Sequence, residues 1–414
     1  MQLIKTSLLS GVHTFIKLVT NIIIGKVFAV YLGPAGITQL GNFTNLFVIL
    51  NTTMSGGINS GVVKIIAEKK EDKQQISIII LNALLYITFF SIISVLLFLI
   101  LKNKINLLLF NSNSMPWLIL IGIILTAFFS TIFNFTISIF NGLGKIKILT
   151  ILNISFSILL LLISIVLVSK FYLNGVIYSN LISFFLVSII SSYLIFKSYR
   201  FSVNKSIINL VLNKQFLQYT LMSFTTIASV PIVQMLIRNY YTNLFGVDTA
   251  GIWQGMVRLS ENYLSVFSIV LITYFLPKYS EITNDKLLKI EIFQGYKYLI
   301  PALLLFFIII YILRFFIIQT LYSNQFTVIG NYLIFMFIGD FFKISSWILA
   351  FLFIAKVKTK TFIFSEIFFS IILLVGTYIL SPHFHIMGYV YSYILCYFLY
   401  FIFCFYYFKK LIFK

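Results

Sequence analysis

Nine ionisable side chains stand inside long apolar stretches of this sequence. Six are cations and three are acids, so the acids cannot neutralise the whole set. A surplus positive charge in apolar surroundings needs an anionic partner, and a phosphate-bearing substrate would supply one. The cations are Lys17, Lys26, Arg238, Arg258, Arg314 and Lys343, and the acids are Glu261, Asp340 and Glu366.

Two pairs of opposite charge have helical spacing. Arg258 and Glu261 are three residues apart, as are Asp340 and Lys343, so the members of each pair would share a helix face. Such a pair is either a neutral structural ion pair or a site whose acid exchanges partners as protons or sodium ions bind. We therefore take Glu261 and Asp340 as candidates for ion coupling.

Several other residues have a structural explanation beside the functional one. Lys26 and Arg238 stand near the ends of their apolar runs, where a long side chain can reach the interface as an anchor. Glu366 can be neutralised by Lys360. Pro231 stands in the middle of an apolar run and removes a backbone hydrogen bond, which predicts either a gating hinge or a static bend.

The composition places these charges in a membrane protein. The chain has 414 residues, of which 60% are hydrophobic and only 10% are charged. No soluble domain of this size is so poor in charge. The net charge of +20 comes from residues scattered between apolar runs, so no nucleic-acid partner is expected. The sequence holds no phosphate-binding loop, zinc motif or nucleophile elbow, so we expect no cofactor, metal site or catalytic residue.

Twelve hydrophobic spans position the charged residues. An interval of polar residues separates each span from the next. The predicted spans are 6–31, 36–63, 76–101, 115–142, 147–169, 173–196, 215–244, 249–276, 296–321, 328–355, 360–380 and 384–408.

The orientation of the spans follows from the basic residues between them. With a cytoplasmic N-terminus, the outer loops hold only Lys102, Lys104 and Lys170, and the inner segments hold the other lysines and arginines outside the spans. Cytoplasmic loops carry the excess of basic residues in membrane proteins, so both termini are predicted to be cytoplasmic.

The spans divide into two halves of six. We predict an N-terminal lobe over 1–200, a cytoplasmic linker over 201–214 and a C-terminal lobe over 215–414. The motif Ala-Gly-Ile-x-Gln occurs at 35–39 and again at 250–254, at equivalent junctions of the two halves. Because each half has an even number of spans, the repeats should be related by an axis along the membrane normal.

The sequence resembles the Wzx polysaccharide flippases of the multidrug/oligosaccharidyl-lipid/polysaccharide (MOP) exporter superfamily. It is most similar to the branch of the O-antigen and enterobacterial common antigen translocases, over essentially the full chain. Short stretches carry the resemblance through their order and spacing. They include Gly25-Lys26-x-x-Ala29-Val30, Gly33-Pro34-Ala35-Gly36, Gly251-Ile252-Trp253-Gln254-Gly255, Leu276-Pro277 and Gly339-Asp340-x-x-Lys343.

The resemblance implies an all-α, MATE-like fold with two six-helix lobes around a central cationic cavity. It implies that the protein moves undecaprenyl-diphosphate-linked O-antigen units from the cytoplasmic to the periplasmic leaflet of a bacterial inner membrane by alternating access. Since the sequence has no ATP-binding loop, either an ion gradient of protons or sodium or the gradient of the substrate itself would drive the cycle. The polymerase and chain-length regulator of the pathway are candidate partners. The expected diphosphate ligands are Lys17, Lys26, Arg238, Arg258, Arg314 and Lys343.

Alternative functions predict different features. A flippase for enterobacterial common antigen or another lipid-linked glycan would share this architecture. A drug or cation antiporter of the same fold should have an acid-rich cavity. A membrane glycan polymerase needs a long outer loop with catalytic residues, and a non-catalytic scaffold predicts buried charges that pair to neutrality.

Overall fold

The computed structural model is helical almost throughout the part of the chain that it describes, which comprises residues 2–69, 71–110, 116–198, 214–356 and 358–413. None of these residues belongs to a β-strand. A helix satisfies every backbone polar group within one segment, as a membrane requires. The predicted all-α fold is confirmed.

The first half contains two helices of double length. The long helices α1 and α6 have 53 residues each, and each is interrupted by one residue with non-helical backbone, Gly33 (φ 61°) in α1 and Tyr172 (φ 50°) in α6. The helices of this half are α1 (Gln2–Met54), α2 (Asn59–Glu68), α3 (Lys73–Ile100), α4 (Lys102–Phe110), α5 (Trp117–Gly142) and α6 (Ile146–Ser198).

The second half contains two π-helical turns, at Ala228–Ile232 and Leu271–Phe275. The first turn includes Pro231, so the seventh span is not a regular α-helix at this residue. The helices are α7 (Lys214–Ile227), α8 (Val233–Phe245), α9 (Val247–Val270), α10 (Leu276–Glu281), α11 (Asp285–Ile312), α12 (Arg314–Leu321), α13 (Ile329–Ala355), α14 (Thr359–Phe384), α15 (Ile386–Tyr407) and α16 (Lys409–Phe413).

The helices agree with twelve crossings of a membrane. Among the described residues, 8 helices are long and apolar enough to cross, and α1 and α6 each count once in that number. The breaks at Gly33 and Tyr172 divide α1 and α6 into two crossings each. The interrupted helices α7–α8 and α9–α10 supply the other two.

Two predicted spans have different bounds in the structure. The second span does not continue to residue 63, because α1 ends at Met54 and a turn follows with positive φ at Gly56 and Gly57. The ninth span begins earlier than predicted, because Asn284 caps α11 by accepting a hydrogen bond from the Lys286 backbone N–H at 2.9 Å. It also ends earlier, at Ile312.

The chain forms two compact units that differ from the predicted halves. One unit comprises Met1–Leu32 and Gln39–Ile227, and the other comprises Gly33–Thr38 and Ala228–Lys414. The division within the seventh span therefore coincides with the start of the π turn that contains Pro231. The predicted linker lies outside the described residues, apart from Lys214 at the start of α7.

Hydroxyl groups fix α7 to the N-terminal unit. The Thr220 hydroxyl donates to the Gly56 carbonyl at 2.6 Å, and the Ser223 hydroxyl donates to the Gly57 carbonyl at 2.9 Å. The Tyr86 hydroxyl lies 2.8 Å from the Thr220 hydroxyl. The start of the seventh span thus packs on the turn that follows α1.

Residues 33–38 pack on α9 in the C-terminal unit. The Thr38 hydroxyl donates to the Val247 carbonyl at 2.7 Å. A Cβ atom at Gly251 would lie only 1.9 Å from the Pro34 carbonyl oxygen, so the backbones approach at a distance that only glycine permits. The backbones at the starts of the two copies of the Ala-Gly-Ile-x-Gln motif are therefore in contact.

Candidate functional site

A pocket of about 340 Å³ lies within the C-terminal unit. It is lined by side chains of the first π turn and of α8, α9, α13, α14 and α15. The lining combines aromatic rings with a few polar groups, which is the usual character of a small-ligand site. The polar and charged side chains include Gln234, Glu261, Lys343 and Glu366, and the aromatic ones include Trp347, Tyr393 and Tyr397.

The Lys343 ammonium is surrounded by aromatic rings. Its Nζ lies 5.3 Å from the centroid of Trp347, 5.3 Å from that of Tyr393 and 4.9 Å from that of Tyr397. Each cation–π contact contributes about 0.5–2 kcal/mol, depending on desolvation. Asp340, three residues earlier on α13, also attracts this ammonium electrostatically, so the rings add to the contact between the two charges.

Asp340 lies behind the pocket wall and is fully buried. Its carboxylate accepts hydrogen bonds from the Ser260 hydroxyl at 2.9 and 3.0 Å, from the Tyr393 hydroxyl at 2.6 Å and from the Tyr263 hydroxyl. Gly339 permits this arrangement, because a Cβ atom there would lie 2.3 Å from the Tyr393 ring. The buried acid is therefore held by hydroxyl groups on α9 and α15.

The two other acids of the set line the pocket itself. Glu261 accepts a hydrogen bond from the Gln234 side chain at 2.7 Å, which gives it a different partner from the predicted Arg258. Glu366 is half-buried and interacts electrostatically with Lys343, whereas Lys360 is exposed. Glu366 therefore belongs to the pocket lining, and its neutralisation by Lys360 stays an alternative from the sequence.

Arg238 is enclosed between α8 and α9. Its side chain is fully buried, and its Nε and Nη2 atoms donate to Gln254 Oε1 at 3.1 and 2.5 Å. The guanidinium carbon lies 5.7 Å from the Trp253 ring. The alternative of an interfacial anchor is wrong for Arg238, because no part of the side chain reaches the surface.

The other predicted diphosphate ligands lie outside the pocket lining. The Arg314 guanidinium stacks 4.2 Å from the Tyr311 ring and 4.5 Å from the Phe315 ring, after the break that ends α11. Arg258 and Lys26 are half-buried, and Lys17 is exposed. Lys343 is thus the one member of the predicted cation set in the lining of this pocket.

The pocket lining holds more acids than cations, whereas the sequence predicted an excess of cations. Glu261 and Glu366 are two acids against the single cation Lys343, which is a formal charge of −1. Fully buried Asp340 stands close behind them. With both acids ionised, this lining would attract a monovalent cation more readily than an anionic diphosphate.

Sequence reasoning missed the aromatic wall. Tyr389, Tyr393 and Tyr397 are spaced four residues apart on α15, so they share one face of that helix. That spacing is visible in the sequence, but its meaning depends on which helix the face meets. No sequence pattern indicated Gln234, because its place in the site depends on a hydrogen bond to Glu261 of another helix.

Comparison with known proteins identifies the family. The model of a family described as polysaccharide biosynthesis protein matches residues 3–283. The chain belongs to this family. The Lipid III flippase of Escherichia coli (strain K12) is 24% identical over 413 residues, which cover 98% of this chain and 97% of that protein.

Solved transporter structures share the fold. An inward-facing MATE family transporter of the MOP superfamily aligns with a TM-score of 0.76 at 15% identity, covering 95% of both chains. An outward-facing one aligns with a TM-score of 0.69 at 15% identity, covering 99% of this chain and 95% of that chain. The predicted MATE-like fold is confirmed. These relatives are flippases and transporters rather than enzymes, in agreement with the prediction of a transporter.

Proposed function

We propose that the protein is a flippase for lipid-linked glycans. The observation that carries this proposal is the similarity to a Lipid III flippase over nearly the whole of both chains. The proposed substrate is an undecaprenyl-diphosphate-linked oligosaccharide, and O-antigen units are the class that the sequence resemblance favours. The proposed setting is a bacterial inner membrane with both termini in the cytoplasm, as the distribution of basic residues indicates.

Ion coupling is the proposed role of the pocket in the C-terminal unit. Glu261 and Glu366 line it, and Asp340 lies behind it with its charge stabilised by hydroxyl donors. A cavity of net charge −1 favours entry of a proton or a sodium ion. Glu366 therefore joins Glu261 and Asp340 as a candidate coupling residue.

Binding of the diphosphate is assigned to the cations outside this pocket. Lys17, Lys26, Arg258 and Arg314 are the proposed ligands, because each is at least partly accessible. Arg238 would join them only in a conformation that opens its contact with Gln254. The geometry argues for a different role of Lys343.

Pro231 is the proposed hinge of the transport cycle. It lies in a π turn, and the two compact units divide at the start of that turn. A π turn weakens the regular hydrogen-bond ladder and often marks a functional site in a helix. Bending at this point would let α7 and α8 move separately during alternating access.

Deletion of the gene tests the proposed function. Loss of a flippase traps single lipid-linked repeat units in the cytoplasmic leaflet, and a plasmid carrying the full chain should restore export. The position of the units is measured by their access to a membrane-impermeant glycan-modifying enzyme added to spheroplasts. Single units accumulating in the outer leaflet would contradict the proposal and indicate a polymerase.

A drug or cation antiporter is the second candidate function. The acidic balance of the pocket favours it, since such a transporter should have an acid-rich cavity. Expression of the chain in a strain lacking drug exporters separates the two functions. Increased resistance to organic cations, together with normal glycan export in the deletion strain, would favour the antiporter.

A further inference from the structure

We propose that the Lys343 ammonium is a tethered counter-cation, which occupies the cation position of the C-terminal pocket until a coupling ion replaces it. This inference rests on the ion coupling proposed above. It assigns Lys343 to the energetics of the ion rather than to the diphosphate, and so makes it a specificity-determining residue of the coupling site.

The contacts of the Lys343 ammonium are those of a cation that another cation could displace. Its Nζ lies 4.9–5.3 Å from three ring centroids, and each such contact contributes only about 0.5–2 kcal/mol. Asp340, three residues away on the same helix, is already bonded to the hydroxyls of Ser260 and Tyr393. The rings can thus hold the ammonium in the pocket without tying it to one carboxylate.

One side chain connects the buried acid with the ammonium. The Tyr393 hydroxyl donates to Asp340 at 2.6 Å, and the Tyr393 ring lies 5.3 Å from Lys343 Nζ. A movement of Lys343 away from this ring would therefore expose the tyrosine that fixes Asp340. Displacement of the ammonium and rearrangement of the acid are coupled through Tyr393.

The charges around the pocket leave room for one additional cation. Glu261 on α9 and Glu366 on α14 line the pocket with Lys343 on α13. The titratable groups that α15 contributes to the lining are Tyr389, Tyr393, Cys396, Tyr397 and Tyr400. On α8, Gln234 contributes a neutral amide, and buried Arg238 acts on Glu261 from outside the lining. With Lys343 in place the lining has one net negative charge, and without it two.

Removal of the Lys343 charge should strengthen ion binding. A nearby like charge shifts a binding equilibrium by about one to three powers of ten, so K343M should bind a monovalent cation at least about tenfold more tightly. K343R keeps a positive charge that can stack on the same rings, so its affinity should stay closer to that of the wild type than the affinity of K343M does. Tighter binding should also make transport by K343M less sensitive to the size of the ion gradient.

The test measures ion binding directly, without any glycan. The purified full-length protein, K343M and K343R are placed in nanodiscs, ²²Na⁺ binding is measured by scintillation proximity, and proton uptake is measured by titration. Thermal unfolding of each variant shows that it is folded. Tighter binding of either ion by K343M alone supports the inference.

Two other results would overturn it. Equal affinity of the wild type and K343M would show that Lys343 does not compete with the ion, while ion coupling itself would stand. Absence of both sodium and proton binding in all three proteins would remove the proposed coupling together with the inference.

Discussion

Replacement of Tyr393 by phenylalanine should loosen Asp340 without disturbing the aromatic wall. The tyrosine hydroxyl donates to the buried carboxylate at 2.6 Å, and the ring remains in both side chains. A hydrogen bond to a charged group contributes about 1.5–3 kcal/mol, and Asp340 keeps its bonds to Ser260 and Tyr263. We therefore expect Y393F to lower the free energy of unfolding by about 2 kcal/mol.

Tyr397 provides the matched control. Its ring lies 4.9 Å from Lys343 Nζ, but its hydroxyl is not among the donors to Asp340. Y397F should therefore change the free energy of unfolding by less than about 0.5 kcal/mol. Reversible unfolding of both variants in mixed micelles, followed by circular dichroism, measures the difference. Equal losses in the two variants would refute the assignment of Tyr393 as a support of Asp340.

Three further predictions concern other elements of the structure. G251A should destabilise the fold strongly in a thermal-unfolding assay, because its Cβ would lie 1.9 Å from the Pro34 carbonyl oxygen. G25A is the control and should be close to neutral, because a Cβ atom at Gly25 would have no neighbouring atom within 4 Å. E366Q should fold normally but transport at a rate that no longer rises with the ion gradient in proteoliposomes, and an unchanged gradient dependence would remove Glu366 from the coupling site. P231A should restore a regular helix in place of the π turn and slow transport at least about tenfold with no loss of thermal stability, so an unchanged rate would identify the turn as a static bend.

The fold was predictable because it follows from hydropathy and charge. Long apolar runs fix the crossings, and lysines between them fix the predicted orientation. The end of the second span was not predictable, because the apolar pattern continues past Gly57. Ile58, which precedes the short helix α2, and Val62 within that helix are both buried. A hydropathy pattern does not distinguish a membrane span from a helix that is buried in the protein core.

The charges of the site were only partly predictable. Sequence spacing found Glu261, Asp340 and Lys343, and it left open a neutral ion pair or an ion-coupling site. In the structure, the Lys343 ammonium contacts three aromatic rings, and Glu261 accepts a hydrogen bond from the Gln234 amide. Those partners come from other helices, so no spacing within one helix could reveal them.

The most direct test of the account is a flipping assay with the purified chain. Proteoliposomes are loaded with an undecaprenyl-diphosphate-linked oligosaccharide that carries a fluorophore, and the fraction in the outer leaflet is followed with a membrane-impermeant quencher. The account predicts that an imposed gradient of protons or sodium accelerates translocation and that an ionophore abolishes the acceleration. A rate equal to that of protein-free liposomes, with or without the gradient, would contradict it.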